Sequence, residues 1–577
     1  MSLSLNWRVA TLSLLLVTGG AFAADGLPAK PATTARPASH ASAQRPGHAA
    51  IASANFHATE AGLEILAKGG NAFDAAVAVA ATLSIVEPES SGIGGGFMAV
   101  LHRAKDGRNV FIDARETAPA AVNVKDYLNP DGSPNRDTAL NGPLSSGIPG
   151  EPAGLVLIAN RYGRLPLAQS LAPAIRIARD GFKPDERLHD AIDEVQKDLR
   201  RWPASAAKYL PGDKVPAENE IWKDPDQART LELIAAHGND GFYHGETARK
   251  LVAAVQAAGG NWTLADLASY QAKERTPITV DYRGYKIITA PPPSSGGVAI
   301  AEILNILSGY DLTKMDQVQR VHYIVEAMRR AFRDHNDYLG DPDFVKMPLD
   351  MLLSPFYADG LRQSILPDKA TPSSMLPRSE AADPGMHTTH FSIIDADGNM
   401  AAVTATVNTT LASKFVAGDT GVLLNNEMDD FALVPNKPNV YGLLGSKANA
   451  PVGGKRMLSS MSPSIVIGAD RTAVIGSPGG STIITQVLEG ILHFIDGQTA
   501  QQITAHKRFH HQYMPDVVMM EDGTFDAATS DALTKMGYTL KQRESWGFMN
   551  VVTWDRKANK LDAASDPRRP SGLGKVQ

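Results

Sequence analysis

The sequence predicts a mixed α+β body in which helices dominate the middle of the chain and strands dominate its last third. Three observations carry this. From about Gly150 to Arg330 the apolar residues recur at helical spacing. From Thr388 onward they alternate with a period of two. Turn signals such as Asp397-Gly398 then separate the alternating runs as hairpins do.

Composition narrows the class. The 577 residues are 43% hydrophobic and 20% charged with a net charge of −6, which is ordinary for a globular protein. Neither a basic patch nor a run of like charge points to nucleic acid, so the composition suggests a small-molecule or peptide partner. Cysteine is absent. That removes disulfides and thiol catalysis and leaves Ser, Thr, Lys or a carboxylate as covalent nucleophile.

The elements follow in order. Residues 1–23 carry Arg8, an apolar stretch and Ala21-Phe22-Ala23 before Ala24, the pattern of a cleavable secretory signal. The stretch is short for a spanning helix, which takes about 20 apolar residues. The expectation is an exported protein with no membrane attachment after signal removal. Residues 24–48, rich in Ala, Pro and Ser, read as a mobile leader.

"HATEAGLEILAKGG" predicts an amphipathic helix ended by Gly69 and Gly70. "NAFDAAVAVAATLSIVEP" predicts a buried helix capped by Asn71. "FMAVLHR" and "NVFIDAR" read as strands. "EPAGLVLIANRYG", "ARKLVAAVQAAGG" and "QRVHYIVEAMRRAFRDH" read as helices. "LPRSEAADPGMH" is rich in Pro, Gly and charge and marks an exposed boundary. Beyond it "THFSIID", "MAAVTATV", "GVLLNNE", "PSIVIGA" and "TAVIGS" read as strands.

Thr388 and Thr389, between two histidines at the start of the first of these strands, raise a chemical question. A threonine hydroxyl needs a base to become a nucleophile. At a chain N-terminus its own α-amine, which titrates near ~7.7–8.0, can serve. Thr388 is internal as encoded, so this requires cleavage of the His387–Thr388 bond. Taken alone, the stretch is better read as two β-formers opening a strand.

The spaced motifs change that reading. "IDARETAP", "TTHFSIIDADGN", "VNTT", "LLNNEMDDF", "LSSMSP", "GSPGGS" and a terminal "ASDPRR" occur in this order. Together they resemble the γ-glutamyltranspeptidase family, bacterial periplasmic type, over about Ala49 to Arg569. The resemblance implies an N-terminal-nucleophile hydrolase with an αββα sandwich. It also implies self-cleavage into a large subunit, 49–387, and a small one, 388–577, that remain together as a heterodimer in one intertwined body.

Roles follow by resemblance. Thr388 is the nucleophile of self-cleavage and of catalysis, and Thr406 orients its hydroxyl. Gly479 and Gly480 of "GSPGGS" form the oxyanion hole. Arg115 takes the α-carboxylate of a γ-glutamyl donor, with Ser459 and Ser460 adding neutral donors. Asn408, Glu427 and Asp430 surround its α-ammonium. Leu433 to Ala450 is a lid with Tyr441 as its shielding aromatic. Glu427 departs from several bacterial members, which carry Gln there. No cofactor is implied.

Substrates would be glutathione and other γ-glutamyl compounds, with water or an amino-acid or dipeptide amine as acceptor. The alternatives are a glutaryl-cephalosporin acylase of the same fold and a catalytically inactive binding protein.

Two look-alikes fail. "SGIGGGF" and "GSPGGS" lack the spacing of nucleotide-binding loops. His506 and His510 are four apart and on a helix would share a face, but no H-E-x-x-H spacing accompanies them, and no metal site is expected.

Overall fold

The computed structural model describes residues 44–217, 220–376 and 388–577. The signal segment, most of the leader, the boundary segment 377–387 and His387 with it lie outside the described residues.

Sixteen strands are found among these residues. Those before the boundary are β1 (Ala50–Ser53), β2 (Gly96–Arg103), β3 (Arg108–Ala114), β4 (Lys273–Arg275), β5 (Ile278–Tyr282) and β6 (Tyr285–Thr289). Those after it are β7 (Thr389–Ile394), β8 (Met400–Thr406), β9 (Ser464–Ile467), β10 (Arg471–Gly476), β11 (Phe509–His510), β12 (Val518–Glu521), β13 (Leu540–Arg543), β14 (Asn550–Asp555), β15 (Lys560–Ser565) and β16 (Leu573–Val576). The first sheet runs β16-β1-β7-β8-β2-β3-β4 and the second β15-β14-β10-β9-β6-β5; β11 to β13 form a small third. Neighbouring strands in both large sheets are antiparallel.

Strand periodicity builds the layers. Along β2, Phe97, Ala99 and Leu101 join a core made with the helices Ala72–Val86 and Glu151–Tyr162. Met98 and Val100 join a second core with residues of the other sheet and the helices Gly296–Leu307, Gln317–Tyr338 and Ile483–Ile495. One face of the first sheet thus meets helices and the other meets a sheet, which has its own helices behind it. This is the αββα sandwich.

The helix Ala72–Val86 forms as its sequence predicts. Asn71 accepts from the N–H groups of Phe73 and Asp74, and the Asp74 carboxylate accepts from the Asn71 N–H. Such a cap contributes about 0.5–2 kcal/mol. All its residues are buried, as an apolar circumference requires.

The boundary is not a division between domains. β7 and β8 insert between β1 and β2, and β9 and β10 sit beside β6. Segments before and after residue 388 therefore share both sheets and both cores.

Three readings need correction. "GVLLNNE" is not a strand: only Leu423 bridges, to Val416, because the Asn425 side chain bonds Gly94 O, Gly147 O and the Gly147 N–H and fixes the chain as a loop. The helical region contains the hairpin β5–β6, whose short alternation is masked by its helical surroundings. His506 and His510 share no helix: the helix Ala500–Ala505 ends before them, and His510 lies in β11.

Candidate active site

The site is assembled where β3 and β8 end and β7 begins. The register pairs Thr389 with Ala405, which lays Thr388 alongside Thr406. The Thr388 hydroxyl donates to Thr406 Oγ1 at 3.3 Å. Thr406 Oγ1 also accepts the Asn408 N–H at 2.8 Å, so it is fixed from two sides. Gly95 backs this point: a Cβ there would lie 2.1 Å from Thr406 O. Close backbone approach is thus what the "SGIGGGF" run provides. The next residue is tethered too, since Thr389 Oγ1 donates to Glu87 Oε2 at 2.7 Å and Glu87 pairs with Arg569 at 2.8 Å.

Arg115 follows β3 directly and is 1% exposed. Its carbonyl accepts from Tyr270 Oη at 2.7 Å and its N–H donates to Asp113 at 3.1 Å. Its guanidinium donates to Glu427 at 2.7 Å, to Asp430, to Glu116 at 3.4 Å, and to the carbonyls of Met457 and Leu458 at 3.3 Å each. Glu427 and Asp430 come from a buried turn, Glu427–Asp430, not from a solvated acidic loop.

One guanidinium thus faces three carboxyls. Burial pushes Glu427 and Glu116 up to about 7, with Arg115 opposing the shift. Burial, opposed by Arg115 and reinforced by Glu427, holds Asp430 well above the carboxylate range. A cation entering here would find carboxyls short of positive partners.

The second sheet supplies the opposite wall. β10 leads through "GSPGGS" into a turn, Gly480–Thr482, and the helix Ile483–Ile495. The first amides of such a turn have no intrahelical acceptor and point the positive helix end at the site. Gln486 holds the loop, donating to Pro478 O at 3.0 Å and to Thr482 Oγ1 at 2.8 Å. Gly480 has φ +57 and a Cβ there would lie 2.4 Å from the Tyr441 ring, so no other residue fits beneath the lid. Ser459 Oγ accepts the Met461 N–H at 3.1 Å.

The segment Leu433–Ala450, the lid of the sequence reading, is held at several points. Tyr441 Oη donates to Asn408 O at 2.6 Å, the Val440 N–H to Asp429 at 2.8 Å, and Arg136 to Asp429 and to the Pro438 carbonyl.

A narrow cleft of about 40 Å³ gathers Thr388, Thr406, Arg115, Asn408, Glu427, Asp430, Tyr441, Ser459, Ser460 and Gly480. Gly479 stands behind Gly480 and does not line it. His506 packs on His493 instead, and His510 bonds Thr485 and Gln512. Among the described residues no cluster of His, Asp and Glu could hold a metal.

Sequence reasoning missed Glu116, whose only signal was its place beside Arg115, and Glu87, Gln486 and His335, which carry none. Among the described residues no helix is long and apolar enough to cross a membrane.

Comparison with known proteins bears on the family and the fold. The family model described as Gamma-glutamyltranspeptidase matches residues 58–576. The glutathione hydrolase proenzyme of Pseudomonas sp. (strain A14) is 41% identical over 91% of this chain and 93% of that one. The protein of the same name from Escherichia coli (strain K12) is 40% identical over 98% of each. A cephalosporin acylase from Bacillus halodurans superposes with a TM-score of 0.79 at 27% identity, covering 95% of this chain and 98% of that one. The Helicobacter pylori γ-glutamyltranspeptidase gives 0.54 at 37% identity, covering 55% of this chain and 92% of that one.

Proposed function

The chain belongs to the γ-glutamyltranspeptidase family, and from that premise we propose that it is a γ-glutamyltransferase and glutathione hydrolase working through Thr388 after cutting its own His387–Thr388 bond. The observation that carries the reading is one cleft with a paired threonine hydroxyl at one end and an acid-rich guanidinium cluster at the other.

The donor enters with its α-carboxylate toward Arg115, Ser459 and Ser460 and its α-ammonium toward Glu427, Asp430 and Asn408. A guanidinium suits a carboxylate because its fork donates twice. The ammonium supplies the positive charge that three carboxyls facing one arginine lack. Arg115 then exchanges part of its contact with Glu427 and Asp430 for the donor carboxylate.

Cleavage frees the Thr388 α-amine. It takes the proton of Thr388 Oγ1, and the oxygen attacks the γ-carbonyl carbon. Charge on the carbonyl oxygen is met by the Gly479 and Gly480 N–H groups at the positive end of the helix Ile483–Ile495. The α-ammonium returns its proton to the leaving amine, and a γ-glutamyl ester remains on Thr388. Water or an incoming amine resolves it. Export through the segment 1–23 to a periplasmic location, and a heterodimer of fragments 49–387 and 388–577, complete the reading. The interleaved sheets are consistent with fragments that stay together.

A glutaryl donor tests this against the acylase reading, because it lacks the ammonium and leaves the carboxyls unpaired. Several charge-assisted hydrogen bonds, each about 1.5–3 kcal/mol, are then lost. With tenfold in rate per ~1.36 kcal/mol, kcat/KM for a glutaryl anilide falls by on the order of a hundredfold or more below that for a γ-glutamyl anilide. Equal efficiency on both would move the acylase reading ahead.

A further inference from the structure

Cleavage of the His387–Thr388 bond, as proposed above, turns Thr388 from a link in the chain into its first residue. β7 begins only at Thr389, so the nucleophile then stands one residue outside the ladder. A chain start frays unless something ties it down, and misplacing a reacting atom by about 1 Å can cost on the order of a hundredfold in rate. The tie lies outside the cleft, at Thr389, Glu87 and Arg569, none of which lines it.

All three are buried. Thr389 lies on the strand parity of Phe391 and Ile393, which join the core packed with the helix Ala72–Val86. There its hydroxyl donates at 2.7 Å to the carboxylate of Glu87, the residue that ends that helix. Glu87 is itself held from three directions. Its N–H donates to Leu83 O at 2.8 Å, its carbonyl accepts the N–H groups of Ser90 at 3.0 Å and Ser91 at 3.2 Å, and its carboxylate pairs with Arg569 at 2.8 Å. Arg569, from the terminal "ASDPRR" motif, donates in turn to Ala54 O at 3.3 Å, just past β1, and to Glu89 at 3.1 Å. The run that starts at Glu87 reaches Gly95, which backs Thr406. It therefore holds Thr389 at one end and Thr406 at the other.

We propose that Glu87 is a positioning residue for the nucleophile: through Thr389 Oγ1 it anchors the chain start that cleavage creates, and Arg569 holds Glu87 in place. A hydrogen bond to a charged acceptor is among the stronger ones a buried site offers, so this bond can steady a terminus that has lost its upstream chain. Glu87 touches neither donor nor acceptor and takes no proton in the reaction. The donor's polar ends meet Arg115, Glu427 and Asp430, which the anchor does not contact. Loosening the anchor should therefore lower kcat and leave KM for the donor alone. The role exists only if Thr388 is the freed N-terminal nucleophile proposed above.

The test follows turnover of a γ-glutamyl anilide, with rates taken per mole of cleaved chain. Thr389→Val keeps the side-chain shape and removes the hydroxyl, and its kcat should fall about tenfold with KM unchanged. Thr389→Ser, which restores the hydroxyl, should recover most of that loss. Glu87→Gln, a weaker acceptor, should lower kcat a few-fold alone and add nothing in the Thr389→Val background, because both changes break one bond. Unchanged kcat in Thr389→Val, additive losses in the double variant, or a rise in KM as large as the fall in kcat would overturn the role. If Thr389→Val blocks self-cleavage, Thr389→Ser decides: cleavage restored supports the anchor, and cleavage still absent overturns it. A wild-type protein that does not turn over the anilide would instead overturn the function on which the role rests.

Discussion

Tyr441 Oη donates a 2.6 Å hydrogen bond to the carbonyl oxygen of Asn408. The bond ties the middle of the lid to the loop that follows Thr406, while the Tyr441 ring covers Gly480. The segment Leu433–Ala450 and the loop that orders Thr406 therefore share a contact.

Tyr441→Phe keeps the ring over Gly480 and removes the latch. A buried hydrogen bond contributes about 0.5–1.5 kcal/mol, so the lid opens a few-fold more often. Hydrogen exchange over residues 433–450 should speed up by that factor. KM for a γ-glutamyl donor should rise a few-fold with little change in the folding midpoint. Exchange as slow as in wild type would show that the other anchors, Asp429 and Arg136, hold the lid alone.

Arg115→Lys separates donor binding from self-cleavage. Lysine cannot reproduce the fork that reaches Glu427 and Asp430 together. Cleavage requires no substrate carboxylate and should persist. KM for the donor should rise about tenfold or more, read from anilide kinetics on processed protein. Unchanged KM would remove Arg115 from the donor site.

Glu151 opens a buried helix with both carboxyl oxygens unpartnered among the described residues. Burial pushes it up to about 8 from 4.5. The folded state therefore keeps a proton that the unfolded chain releases, and stability falls as pH rises from about 4.5 to 8. Glu151→Gln is neutral throughout. Its thermal midpoint should match wild type near pH 5 and exceed it at pH 8, by an amount on the order of a few kcal/mol in stability. Identical pH dependence in both proteins would contradict a buried, protonated Glu151.

Much of this was legible in the sequence, and the limits have physical causes. The helix Ala72–Val86 was readable because its cap and its apolar circumference are local. β2, β3, β7 and β8 were readable because alternation is local too. "GVLLNNE" alternates equally well, but Asn425 side-chain bonds to partners hundreds of residues away take its backbone out of any sheet. The residues assigned to the proposed donor site were singled out through spaced motifs. Their mutual pairing was not, since Arg115 meets Glu427 and Asp430 across 312 and 315 positions. His335 belongs to no motif; only the fold brings it to the cleft.

The central claim is that Thr388 becomes a chain N-terminus and works from there. N-terminal sequencing and intact mass of purified, active protein test it most directly. Two chains are expected, the smaller beginning Thr388-Thr389-His390, and a Thr388→Ala protein should remain one chain and turn over no γ-glutamyl anilide. An active protein whose His387–Thr388 bond is intact would contradict it.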